Sequence, residues 1–386
     1  MTEESSARLL AARDRFSICR FCDDDPAEYG ISNCIAEGKR KDNRTKVRLL
    51  ADAVRIGPEL MPGLSRTFDE SMGQLGLSGC VEGYVYNDVA AQAKCIFVGG
   101  NSKAAVLISS GLVSLLEGEE LQFVIGHELG HLIYGHHGYP DPRSATNDNE
   151  RLNLLALQRA AEISADRMGY VASQSMHAAV RAIIKTSTGL ESVELRFDVA
   201  KYLDQLRNLT SLGGSEDIIF ASHPMFPVRM KALLWFEMSE SLAAIRGSAQ
   251  RSALTAGRID ERIVKDLEMA GASVLSRIRT ESFQSAAVWA FLFVAVADNK
   301  LSKGEQAELQ QRFGTEIATD ALSFVAENGP EGVRQKFELS MKKISSHPVS
   351  ARKQFMNAIC AQFDPESGDS NLKGRMLGII ADRLNV

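Results

Sequence analysis

From Lys46 onward apolar residues recur at helical spacing (Val47, Leu49, Leu50, Val54). The pattern breaks at Gly57-Pro58 and again at Pro62-Gly63, and a second helix is predicted from about Leu64 to Leu75. Three short runs, Glu82 to Tyr86, Lys94 to Val98 and Ala104 to Ile108, read as strands of a small antiparallel or mixed sheet. Gly111 to Leu116 predicts a short helix. Gly118-Glu119-Glu120 opens a longer one, its acidic first turn suited to the positive end of the helix dipole. After a polar segment from Gly138 to Asn149, helical spacing resumes over Leu152 to Ser173 and continues to about Arg246, interrupted at Leu212-Gly213-Gly214-Ser215 and at His223-Pro224. Arg258 to Arg279 carries the spacing of one amphipathic helix, and the last hundred residues are almost wholly helical. The expectation is an α+β chain, mostly helical with a small sheet, followed by an all-α C-terminal domain.

Length and composition narrow this further. A chain of 386 residues is long for one domain, and its 45% hydrophobic and 24% charged residues are ordinary for a globular protein. The formal charge of −5, with no basic run beyond Gly38-Lys39-Arg40-Lys41, argues against a nucleic-acid partner. The N-terminus is acidic and polar without an apolar signal segment, and the longest apolar run, Ala286 to Ala297, is too short to span a membrane. A cytoplasmic protein with no membrane span is therefore expected. The six cysteines then default to free thiols; Cys19-x-x-Cys22 with Cys34 is an incomplete set for a structural zinc site.

The chemistry concentrates in Gly126-His127-Glu128-Leu129-Gly130-His131. On a helix, positions four apart lie on one face, so His127 and His131 can offer imidazole nitrogens to one zinc ion. Glu128 sits beside that face, placed to take a proton from water without ligating the metal. The alternative is two helix histidines satisfied by ordinary hydrogen bonds. A catalytic zinc also wants a third protein ligand. Further along, Ala161-Glu162-Ile163-Ser164-Ala165-Asp166 places two carboxylates on one helical face among small and apolar neighbours. Burying them is costly without a cation or donors. Ligation by Glu162, with Asp166 hydrogen-bonding a ligand histidine, resolves that cost. The competing explanation is a surface salt bridge to Arg159 or Arg167.

Together these motifs resemble the gluzincin peptidases of the HtpX and CAAX-prenyl protease family. Leu107-Ile108-Ser109-Ser110-Gly111-Leu112-Val113 resembles the strand and turn before the active-site helix there, and Ser222-His223-Pro224 with Arg229 resembles a downstream His-Pro…Arg motif. The resemblance implies that His223 and Arg229 lie near the zinc and help hold substrate or the oxyanion; as residues alone they are equally a helix start and a surface arginine. His136 matches a histidine often found after the motif and is expected, like His137, to be structural. The chain departs from the family in lacking membrane spans. It also has Ala93-Lys94-Cys95 where relatives often carry Asn-Ala-Phe. Near the C-terminus, an apolar helix ending at Asp298-Asn299-Lys300, followed by Ser302 and Glu305 at capping-box spacing, resembles the TerB-like helical domain.

The expected organisation is an N-terminal segment of unassigned structure (1–45), a zincin-like metallopeptidase domain (46–245), a helical linker (246–283) and the TerB-like domain (284–386). The expected function is a zinc-dependent endopeptidase with one zinc ion per chain, acting on protein or peptide substrates, with a regulatory protein partner at the C-terminal domain. The alternatives are a weakly active or inactive scaffold that binds partners, and a latent protease controlled by its terminal regions.

Overall fold

In the computed structural model, which describes residues 3–26, 44–98, 103–145, 148–211, 224–248, 254–269, 272–296, 301–345, 349–362 and 370–385, the chain divides into two compact units. The first comprises Met1–Asp25, Asn33–Asp141 and Leu154–Gly271; the second comprises Pro26–Ser32, Pro142–Asn153 and Ala272–Val386. The protein is mostly helical with one small sheet, the expected class.

In the first unit, helix α1 (Glu3–Phe16) leads into a 3-10 turn at Ser17–Cys19. Phe16, Cys19 and Phe21 are buried, so the described start of the segment left unassigned from sequence packs as part of the core. Helix α2 (Arg44–Asp52) ends sooner than the apolar spacing predicts, and Ala53–Arg55 forms a short strand, β1, instead. Its pairing with a distant strand decides this, against local helical periodicity. Helix α3 (Pro62–Gln74) starts with proline in its first turn, where the missing N–H costs nothing. Strands β2 (Val81–Tyr86), β3 (Ala93–Val98) and β4 (Lys103–Ser109) follow, and the sheet order is β1-β2-β4-β3. It is mixed: β2 runs parallel to β4, and β1 and β3 are antiparallel to their neighbours. β3 is thus an edge strand.

Ser109 caps α4 (Ser110–Leu115), its side chain accepting from the Leu112 amide. Helix α5 (Gly118–Tyr134) opens with a reciprocal capping box between Glu117 and Glu120 and stops at Gly135, which takes the left-handed conformation (φ 74°) that favours glycine. Helix α6 (Asp148–Ser173), α7 (Met176–Thr188), α8 (Val199–Ser211), α9 (Phe226–Glu237), α10 (Glu240–Ile245) and α11 (Ala256–Met269) complete the run. Of the stretch expected to be one helix from Arg258 to Arg279, residues 258–269 and 272–279 are helical, and the boundary between the two compact units falls within it. Ile259 and Ile263 of α11 bury against Ala160, Ile163 and Ala232 in the first unit, while α12 (Ala272–Ala295) belongs to the second.

The second unit continues with α13 (Lys303–Phe313), α14 (Thr315–Ser345, kinked at Gly329-Pro330), α15 (Val349–Gln362) and α16 (Ser370–Leu384). The Ser302/Glu305 capping box forms as its spacing predicts, whereas Asp298-Asn299-Lys300 and His347 lie outside the described residues. Phe293 of α12 stacks on Phe337 of α14 at 4.0 Å between ring centroids, within an apolar core of the second unit.

Glu120 ties α5 to α7. Its carboxylate, 5% exposed, receives Lys185 Nζ at 2.7 Å and Arg181 Nε at 2.6 Å. Burial alone raises its pKa, but the two cations outweigh burial and hold it below the usual carboxylate range. Since the folded-state pKa lies below the unfolded one, the stabilisation is complete above the unfolded value of about 4.5 and is lost as pH falls through the folded value. Glu120→Gln leaves the buried Lys185 ammonium without its counter-charge and is expected to lower stability at pH 7 by about 3 kcal/mol. Urea unfolding at pH 7 and at pH 3 checks this: the gap between native chain and variant should shrink in acid, and a gap of constant size would refute the assignment.

Candidate metal centre

The four-residue repeat on α5 builds two parallel strips. One carries His127 and His131, the other Gly126 and Gly130, and the glycine strip lies against α6. A Cβ at Gly126 would meet the Ala172 Cβ at 2.4 Å, and one at Gly130 would meet the Met168 Cβ at 2.8 Å. From the other side, a Cβ on Gly169 would lie 2.6 Å from the Phe123 carbonyl oxygen. Glycine at these three positions lets the two helices approach closely enough for Glu162 of α6 to reach the α5 histidines.

The three predicted ligands come together. His127 Nε2 and His131 Nε2 are 3.1 Å apart; Glu162 Oε2 is 3.6 Å from the first and Glu162 Oε1 3.4 Å from the second. Ligand bonds of 2.0–2.1 Å in a tetrahedron place neighbouring donor atoms about 3.3 Å apart. The observed spacings bracket that value, and the donor set of two imidazoles and a carboxylate suits zinc. Among the described residues this is the group of three that could hold a metal ion, and no described cysteine joins it.

Asp166 sets the orientation of His127. Its Oδ1 lies 2.9 Å from His127 Nδ1, and because a carboxylate only accepts, that nitrogen carries the proton and Nε2 keeps its lone pair. Arg229 of α9 grips the same carboxylate with a two-pronged bond, Nε to Oδ2 at 2.8 Å and a terminal nitrogen to Oδ1 at 2.6 Å. Asp166 is 1% exposed. Burial alone raises its pKa, but Arg229 and His127 outweigh this and keep it ionised well into acid. Arg229 therefore sits at the site with its fork committed to Asp166; a further guanidinium nitrogen lies 3.6 Å from Glu162 Oε2. Arg167, the proposed surface partner, instead turns to Asp260 and the Cys19 carbonyl. His223 lies outside the described residues, as does Cys34.

Glu128 points to the sheet. Its Oε2 accepts the backbone N–H of Cys95 at 2.9 Å, and the Cys95 carbonyl receives His137 Nε2 at 2.8 Å. Both outward groups at this position of edge strand β3 are thus occupied from within the chain. The imidazole of His136 lies 2.8 Å from His131, Nδ1 to Nδ1, and its Nε2 lies 2.8 Å from Asp24 Oδ2. Burial pushes the His136 pKa down to about 4, against the opposing pull of Asp24. Sequence spacing pointed to neither Asp24 nor the Cys95 amide, since both reach the site across long sequence separations. Cys19 is buried and its thiol pushed up to about 12 by burial; Cys22 is exposed, its Sγ 3.3 Å from Asp23.

Residues 64–142 match the model of peptidase family M48. Over that segment the chain is similar to metallopeptidases of this family. The match runs from α3 through α5, covering both histidines and Glu128, and stops short of Glu162, Asp166 and Arg229. A curated relative, the plastoglobule-localized metallopeptidase 48 of the Arabidopsis thaliana chloroplast, is 27% identical over 146 residues. The aligned part is 34% of this chain and spans 42% of the relative's length. No solved structure matches the chain. Among the described residues no helix is long and apolar enough to cross a membrane.

Gly126→Ala should force α5 and α6 apart, cost about 1–3 kcal/mol by overpacking, and weaken zinc binding measured by chelator competition. Gly63→Ala, where an added Cβ meets nothing within 4 Å, should leave zinc affinity unchanged. Equal effects of the two substitutions would sink the packing account.

Proposed function

We propose that this chain is a zinc-dependent endopeptidase that hydrolyses peptide bonds of protein substrates, with His127, His131 and Glu162 holding the metal. The observation that carries the reading is the spacing of 3.1–3.6 Å among the three donor atoms beside a glutamate that does not ligate. The family match over residues 64–142 supports the same class of chemistry. Zinc, when bound, supplies Lewis acidity toward the scissile carbonyl and toward water.

The chain's own groups do the rest. Glu128 accepts a proton from the attacking water as its oxygen bonds to the carbonyl carbon, then delivers that proton to the amine nitrogen as the C–N bond breaks. Asp166, clamped by Arg229, keeps the His127 lone pair turned inward. Substrate in extended form fits beside β3, whose outer edge pairs with no other strand among the described residues and whose outward amide at Cys95 meets Glu128. Pairing there exchanges the bond from His137 to the Cys95 carbonyl for one from the peptide. In this reading His223 and Arg229 help hold substrate or the oxyanion, Arg229 acting chiefly through Asp166. Residues 284–386, which resemble a TerB-like helical domain in sequence, serve to bind a regulatory partner.

Glu128→Gln should retain one zinc per chain and lose casein cleavage by roughly a hundredfold to ten-thousandfold, and a chelator should silence the native chain. Undiminished cleavage by a zinc-loaded Glu128→Gln variant would falsify the mechanism. Capture of partners without any cleavage by the native, zinc-loaded chain would instead favour the scaffold.

A further inference from the structure

The N-terminal segment reaches the second ligand histidine from outside the region that matches the peptidase family. It is anchored to both ligand-bearing helices. Arg13 Nε donates to the Ile133 carbonyl at 2.8 Å and Tyr134 of α5 donates its hydroxyl to the Phe16 carbonyl at 2.9 Å. From α6, Ser164 accepts the Phe21 amide at 3.0 Å and Arg167 donates to the Cys19 carbonyl at 3.1 Å. Farther off, Asp260 of α11 accepts the Cys22 amide at 3.0 Å. Held this way, Asp24 is fully buried, and its carboxylate accepts from His136 Nε2 at 2.8 Å, from the Tyr139 hydroxyl at 2.5 Å and from Arg20 Nε at 3.3 Å.

The proton positions follow from which atoms can donate. A carboxylate accepts only, so His136 directs Nε2–H at Asp24, and in a ring with one proton Nδ1 is left as the acceptor, carrying a lone pair. That lone pair faces His131 Nδ1 at 2.8 Å, so His131 must carry its proton on Nδ1. The remaining nitrogen of His131, Nε2, then keeps a lone pair, and it is this atom that faces His127 Nε2 and Glu162. We propose that Asp24 is a positioning residue for the metal centre: acting through His136, it fixes the tautomer and orientation of His131 so that Nε2 is presented to the metal. His127 receives the same service from Asp166 directly; His131 receives it through one intervening imidazole. This inference rests on the metal reading above and makes the N-terminal segment part of the metal-holding apparatus.

Zinc affinity of the full chain, measured by chelator competition alongside the melting temperature of the metal-free protein, tests it. Asp24→Asn and His136→Gln should each weaken zinc binding about tenfold or more, and the double variant should be no weaker than the worse single one, because both break one relay. Tyr139→Phe, which removes another bond to Asp24 but leaves the relay intact, should lower stability and spare zinc affinity. Side-chain 15N NMR should show the His131 proton on Nδ1 in the native chain and a mixture of tautomers in Asp24→Asn. Should Asp24→Asn fail to fold, His136→Gln reads out the same relay from the α5 side. Native zinc affinity in either folded variant, or additive losses in the double variant, overturns the relay alone. A native chain that binds no zinc overturns the metal reading and the relay with it.

Discussion

Two helices can aim side chains at one point only if their backbones come close, and here Gly126, Gly130 and Gly169 set that distance. The crossing of α5 and α6 is the constraint on which the rest of the site depends. Glu162 and Asp166 sit on the buried side of α6, where isolated carboxylates are strongly disfavoured. Each meets an imidazole because the neighbouring helix arrives without intervening side chains, and Arg229 of α9 adds its guanidinium to both. Any methyl at the crossing displaces donors whose useful geometry tolerates about half an ångström.

Around that crossing the two histidines are held by different means. His127 meets a carboxylate from its partner helix, itself clamped by Arg229 from α9. His131 leans on His136 just past its own helix and, beyond that, on Asp24 from the start of the chain. Left-handed Gly135 ends α5 in time for His136 to fold back toward the site. Glu128 meets the sheet edge at the Cys95 amide, so one helix shares its polar side chains between the candidate metal cluster and the neighbouring strand.

The helix-borne part of this was legible from residue spacing. His127, Glu128 and His131 announce themselves because four-residue spacing has a fixed meaning on a helix, and Glu162 and Asp166 repeat the logic. The three longer strands were legible as alternating runs, but β1 was not, because Ala53–Arg55 is extended only by virtue of its partner Tyr84–Tyr86. Asp24 gave no signal, since nothing local distinguishes it from Asp23 and Asp25. His136 was visible as a histidine after the motif, yet its link to His131 depends on the turn at Gly135 and on a carboxylate 112 residues away. The glycines of α5 and α6 were visible only as poor helix formers; their purpose appears when the facing helix is in place. The division between units escaped the periodicity because α11 and α12 share a helical rhythm while burying against different cores.

The clamp on Asp166 has a consequence for the order in which the molecule is made. Asp166 and Arg229 are 63 residues apart, and Asp24 and His136 are 112 apart, so the cage is stitched from contacts of high sequence separation. Such contacts form late, after the entropy of closing long loops has been met. During synthesis the histidine pair leaves the ribosome well before the guanidinium that secures its support. A nascent chain therefore carries the motif before it carries the finished cage, which is complete only once the first unit has closed around it.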